Sequence, residues 1–153
     1  MALPSLVNAW PEGNWRYGEP KYDELREKYN LTVANEPVSP TLNDGWNEEK
    51  VILAVQHEPK HGIMIHLASN STEFDCTDIC QVFFRFDDEK LQDVYFFTFP
   101  IEPAMLTLIG DDAMKFFDKI TSSKTLILEV KRKDKRPEQF KYRLEGFYPL
   151  AEN

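Results

Sequence analysis

Hydrophobic and polar positions alternate with a period of two through most of the chain beyond residue 50, the spacing of a strand that lays one face on a core. Residues 62–68 set Ile63, Ile65 and Leu67 against Met64 and His66. Residues 50–56 precede them across a turn at 57–61 built on Pro59, so the two stretches predict a hairpin. Residues 81–87 and 91–99 are aromatic-rich and separated only by Asp88-Glu89-Lys90, which predicts a second hairpin. Residues 124–133 and 138–147 flank the loop KDKRP and pair antiparallel, because so short a link cannot make a crossover. The period changes in two places. Residues 111–120 carry Met114, Phe117 and Ile120 at helical spacing behind Gly110-Asp111-Asp112, an acidic start that suits the helix dipole. Residues 20–29 (PKYDELREKY) put Pro20 at a first helical position, Tyr22, Leu25 and Tyr29 on one stripe and Asn30 at the stop, predicting a short amphipathic helix.

The implied fold class is mainly β (α+β): an antiparallel β-sandwich or strongly curved sheet of about six strands with one or two short helices packed to one side. Residues 1–47, rich in proline and carrying Trp10 and Trp15, read as an N-terminal arm whose short helix packs on the core. The Asn43-Asp44-Gly45 turn leads from it into a single antiparallel β-rich domain over 48–153.

Composition narrows the function classes. A chain of 153 residues is the size of one domain, and 42% hydrophobic with 13% aromatic residues is not the composition of a disordered one. No apolar run approaches the roughly 20 residues that a bilayer-spanning helix needs. With 26 acidic against 18 basic residues and a formal net charge of −8, nucleic acid and anionic lipid are poor partners, since phosphate neutralisation needs a concentrated basic surface. The opening MALPSLV lacks a basic start and an apolar signal core, so the chain is either cytosolic as written or a mature exported chain whose signal has been removed.

Chemistry is sparse. Cys76 and Cys80 lie four apart; in a continuous strand that is about 13 Å, beyond disulfide reach, so pairing requires Thr77-Asp78-Ile79 to turn. A disulfide is the favoured reading, with free thiols and a zinc site as alternatives. His57, His61 and His66 do not have finger spacing, and Pro59 and Gly62 break any helix that would align the first two. Asp87 and Asp88, alone or with Asp75 and Asp78, suggest an acid/base pair or a calcium cluster, but strand-ending aspartates at a hairpin turn ordinarily bond nearby backbone. Six glycines include no GxGxxG or GxxxxGK[ST] arrangement, and no GxSxG is present. No catalytic residue, metal ligand or cofactor is therefore assigned. The basic run Lys131, Arg132, Lys133, Lys135 and Arg136 stands out in an acidic chain, as a solvated hairpin tip or a docking knob for an acidic partner protein or a phosphate-bearing surface. The aromatics of residues 83–99 occupy both parities of the pleat, so some face something other than the core; Phe84 and Phe96 are taken as contact candidates.

RFDD (85–88), a helix ending in FFDKITSSKTLILEV (116–130) and QFKYRLEGF (139–147) together resemble the C-terminal half of small exported bacterial proteins of the VasI/TagO type VI secretion accessory kind. That pattern has glycine where Glu89 stands and leucine where Phe147 stands. The resemblance implies an envelope or periplasmic location and a noncatalytic role. The expectation is a noncatalytic exported protein-binding or accessory module. The alternative is a cytosolic acidic immunity or inhibitor protein that masks a basic toxin or enzyme.

Overall fold

A computed structural model describes residues 15–35 and 50–147; Trp10 and the Asn43-Asp44-Gly45 turn lie outside them. The described residues form one antiparallel sheet and a single helix. The strands are β1 (Trp15–Tyr17), β2 (Lys21–Asp23), β3 (Lys28–Asn35), β4 (Val51–Glu58), β5 (Gly62–Ser69), β6 (Ile79–Phe86), β7 (Gln92–Phe99), β8 (Glu102–Leu108), β9 (Thr125–Val130) and β10 (Glu138–Arg143), with α1 (Gly110–Ser122) between β8 and β9. Their order is β1-β3-β4-β5-β8-β7-β6-β9-β10, with β2 paired to β3 off this path.

The three predicted hairpins are present as β4–β5, β6–β7 and β9–β10, each antiparallel. The sheet has ten strands, more than the six expected. Two were unread because they are short or begin at a proline: β1 has three residues, and β8 opens on Glu102-Pro103. A larger correction falls on residues 20–29, where the expected helix is instead the hairpin β2–β3. Tyr22 and Tyr29 are cross-strand partners with ring centroids 5.0 Å apart. Asp23 Oδ1 accepts the backbone N–H of Arg26, and Glu27 takes φ 54°, which together turn the chain back within four residues. The described part of the expected arm thus belongs to the sheet.

Alternation decides which face is inside. Val51, Leu53 and Val55 of β4, Ile65 and Leu67 of β5, Val82, Phe84 and Phe86 of β6, and Leu126, Leu128 and Val130 of β9 all point inward and are buried. The helix lies against this concave face. It buries Ala113, Phe116 and Ile120; of the expected stripe Ile120 is inside, Phe117 only partly covered and Met114 exposed. Phe116 meets Phe84 and Phe86 edge to face at 5.0 and 5.2 Å, and its burial stabilises the fold by roughly 2 kcal/mol. Asp111 and Asp112 sit in the first turn and Lys119 in the last, as the dipole favours.

No backbone ladder joins β1 to β10 among the described residues, so the sheet is open, yet its two ends reach each other through side chains. The indole N–H of Trp15 donates to the Leu144 carbonyl at 2.9 Å, and Asn35 Nδ2 donates to the Arg143 carbonyl at 2.9 Å. On the same side the Tyr142 hydroxyl, fully buried, donates to the Val51 carbonyl at 2.8 Å. Burial pushes that phenol far above its ordinary range, keeping the proton in place for the bond. These contacts bring the two ends of the open antiparallel sheet together.

Candidate functional site

Cys76 and Cys80 are joined in a disulfide with Cα atoms 5.5 Å apart. The intervening turn is tight: Ile79 N–H donates to the Thr77 carbonyl at 2.7 Å around Asp78 at φ 66°, a γ-turn geometry that glycine or aspartate tolerates best. The Asp78 carbonyl accepts the N–H of Thr98 at 2.9 Å, tying the loop to β7. Cys80 is buried, whereas Ile79 beside it is half exposed.

The basic run is not the free knob that its sequence suggests. Arg132 is fully buried. Its guanidinium grips the Glu138 carboxylate bidentately, Nε to Oε1 at 2.9 Å and Nη2 to Oε2 at 3.0 Å, and Nη1 donates to the hydroxyls of Ser69 and Ser71. Alternation requires this, because Leu126, Leu128, Val130 and Arg132 share the inward parity of β9 and its extension. Lys131 pairs with Asp75 at 3.0 Å and Lys133 with Glu73 at 2.7 Å; the Glu73 carboxylate holds the Lys133 ammonium above its ordinary range. The Lys135 N–H donates to the Arg132 carbonyl, and Arg136 is exposed. The run is mostly a clasp between the end of β9 and the segment leading to β6.

Phe84 and Phe96 are likewise corrected, since both are core residues and both pack on Phe116. The aromatics that leave the core have the other parity. Tyr95 is 54% exposed, Phe97 43% and Phe99 52%. Ile79 is the direct cross-strand partner of Phe97, and Gln81 of Tyr95, while Ile101 stands in the turn between β7 and β8. One convex strip of β6–β8 therefore carries Ile79, Tyr95, Phe97, Phe99 and Ile101. Its parity could have been read from the sequence: Gln81 and Arg85 on β6 and Asp93 on β7 all have odd numbers, marking odd positions as the outer ones.

The remaining candidates are structural. His66 is partly buried on the outer face, where Nε2 meets Gln56 Oε1 at 2.7 Å and Nδ1 meets Thr107 Oγ1 at 3.0 Å; burial holds its imidazole below the ordinary value. His61 bonds Glu58 in the β4–β5 turn. Among the described residues no three His, Cys, Asp or Glu side chains gather as a metal site would, and no helix is long and apolar enough to cross a membrane. Asp87 bonds backbone, as a strand-ending aspartate should, but at long range: Oδ1 accepts the N–H groups of Thr125 at 2.9 Å and Lys124 at 3.0 Å, and the Thr125 hydroxyl at 3.3 Å.

These donors, led by Thr125 N–H, hold the Asp87 carboxyl below its ordinary range. A depressed folded value means that the contribution is full above the unfolded value and disappears as pH falls through the folded one. Asp87→Ala should lose about 2 kcal/mol at neutral pH, since it removes a charged acceptor and leaves alanine at a positive φ. Asp87→Asn keeps an acceptor and tolerates that φ, so it should stay near wild type at neutral pH and lose less stability on acidification. Urea midpoints at pH 7 and about pH 3 check this; equal behaviour of the two variants would show that the clamp does not depend on the acceptor.

Together these features define a curved antiparallel sheet wrapped on one helix, with a disulfide-braced loop and a convex apolar strip. No protein-family model matches the chain, and neither a curated protein nor a solved structure matches it at a significant level.

Proposed function

We propose that this protein is a noncatalytic exported module that binds another protein through the convex strip of β6–β8. The carrying observation is the strip itself: large apolar side chains, half exposed on rigid paired strands, have no role in the fold's own core. Aromatics on such a face supply contact area at little entropy cost, which is how interface centres are built. The Cys76–Cys80 disulfide supports an oxidising compartment, and the resemblance to VasI/TagO-type accessory proteins supports an envelope setting.

A second reading has one observation in its favour. Asp78 and Glu102 border the strip and are exposed, and with the net charge of −8 they would suit a basic toxin or enzyme in the cytosol.

Placing p-benzoylphenylalanine at position 95 or 97 in native cells, followed by irradiation, should give a discrete covalent adduct with one partner, while the same probe at the exposed Lys141 on β10 gives none. Adducts of equal yield from all three positions, or from none, would end the proposal of this strip. Alkylation before lysis in the same cells separates the two locations: a bonded Cys76–Cys80 pair fits export, and free thiols move the protein to the cytosol.

A further inference from the structure

A second concavity lies on the outer face beyond the strip, where β6, β9 and β10 run side by side beneath the β6–β7 turn. Its volume is about 650 Å³, within the range of single small-molecule sites. Phe83 and Ile127, both partly buried, make an apolar floor, and Leu91, 69% exposed, stands at the rim. Arg85 and Lys90 also line it, and neither has a hydrogen-bond or ion-pair partner among the described residues.

The charges around the groove are unequal in what they have left to offer. Glu129 Oε1 already accepts the Gln139 amide at 3.0 Å, and Glu89 is paired with Lys119 of α1. Glu89 is thus neutralised by its ion pair, whereas Glu129 keeps its charge beside a neutral amide; against it stand the two open cations, Arg85 and Lys90, so the lining is net positive. The overhanging turn is also fixed in place: Glu89 N–H donates to the Phe86 carbonyl at 2.9 Å, Asp87 N–H donates to the Thr125 carbonyl at 3.1 Å, and Lys119 tethers the Glu89 side chain. The rim is thus held before any ligand arrives, which lowers the ordering cost of binding.

We infer that this groove binds a small amphipathic carboxylate, its apolar body lying on Phe83 and Ile127 and its head group between Arg85 and Lys90. A planar guanidinium takes a carboxylate through two parallel N–H bonds, which a point charge cannot do. Leu91 beside Lys90 covers the apolar body from the solvent side. The inference is independent of the partner strip, which uses different side chains.

The test is an amide chemical-shift titration of the purified full chain with octanoate, octylamine and octanol. Octanoate should give saturable shifts confined to the amides of 83–91, 127–129 and 139, and octylamine none there. Arg85→Gln and Lys90→Gln replace exposed side chains and so leave melting unchanged; each should weaken octanoate about tenfold, the size of one charge-assisted contact. Three outcomes would overturn the inference: octanoate shifts scattered over the surface or failing to saturate, octylamine or octanol binding as tightly as octanoate, or both variants binding octanoate like wild type.

Discussion

Arg132→Ala should cost about 3 kcal/mol of folding stability, the low end of what breaking a buried ion pair costs. The side chain is fully buried, whereas Glu138 retains 30% exposure, so the abandoned carboxylate recovers some hydration and the full penalty is not reached. What remains is the loss of both arms of the fork, of the Ser69 and Ser71 bonds, and of the guanidinium 5.6 Å above the Phe140 ring. Arg132→Lys retains charge but not the fork, and should recover less than half of the loss. Urea unfolding of both variants, with Glu138→Gln added to the alanine background, makes the cause readable. If the unpaired carboxylate dominates, the added glutamine restores stability; a loss under about 1 kcal/mol for Arg132→Ala would mean that the residue is not structural.

Trp15→Ala should cost about 4 kcal/mol, because it empties the largest fully buried side chain on the sheet's first strand. It also strands the Leu144 carbonyl and removes the edge-to-face contact with Phe147 at 4.9 Å. Trp15→Phe keeps most of the packing and loses the N–H, so about 1 kcal/mol is expected. The difference between these two numbers separates packing from the hydrogen bond. Hydrogen exchange in Trp15→Phe should show lost protection in β1 and around Leu144, with the β4–β5 hairpin unchanged. Uniform loss across every strand would mean that the seam does not open separately.

The elements that could be read in advance are those whose pairing is local. β4–β5, β6–β7 and β9–β10 each join neighbouring stretches through short polar turns, and α1 announces itself by its spacing and acidic start. Residues 20–29 misled because Tyr22 and Tyr29 fit either geometry: two turns apart on one helix stripe, or directly opposed across a hairpin. Leucine and glutamate propensity favoured the helix, and pairing of β3 with β4 overrode it. The LTVAN stretch of β3, with Leu31 and Val33 inward, carried a strand signal that was legible.

The disulfide was legible as a requirement for a turn at Thr77-Asp78-Ile79, which the structure supplies. Arg132 is hidden within a run of like charge, and its inward parity shows only when the alternation of Leu126, Leu128 and Val130 is carried past the end of β9. Phe97 and Tyr95, not Phe84 and Phe96, are the outward aromatics, a parity that the odd-numbered Gln81, Arg85 and Asp93 already mark in the sequence. The carboxylate groove could not be read at all, since Arg85, Ile127 and Gln139 come from three strands far apart in sequence.

The side-chain seam between the sheet's ends also bears on how the chain reaches this form. The hairpins close over short loops, whereas Trp15 finds Leu144 across 129 residues and Asn35 finds Arg143 across 108, contacts whose loop-closure cost delays them until the intervening strands are assembled. Until then the nascent sheet displays two bare edges, each a template for another copy's backbone. A tryptophan and an asparagine that arrive last thus leave both edges bare while the strands assemble, and the hazard of self-association ends only once the seam has closed.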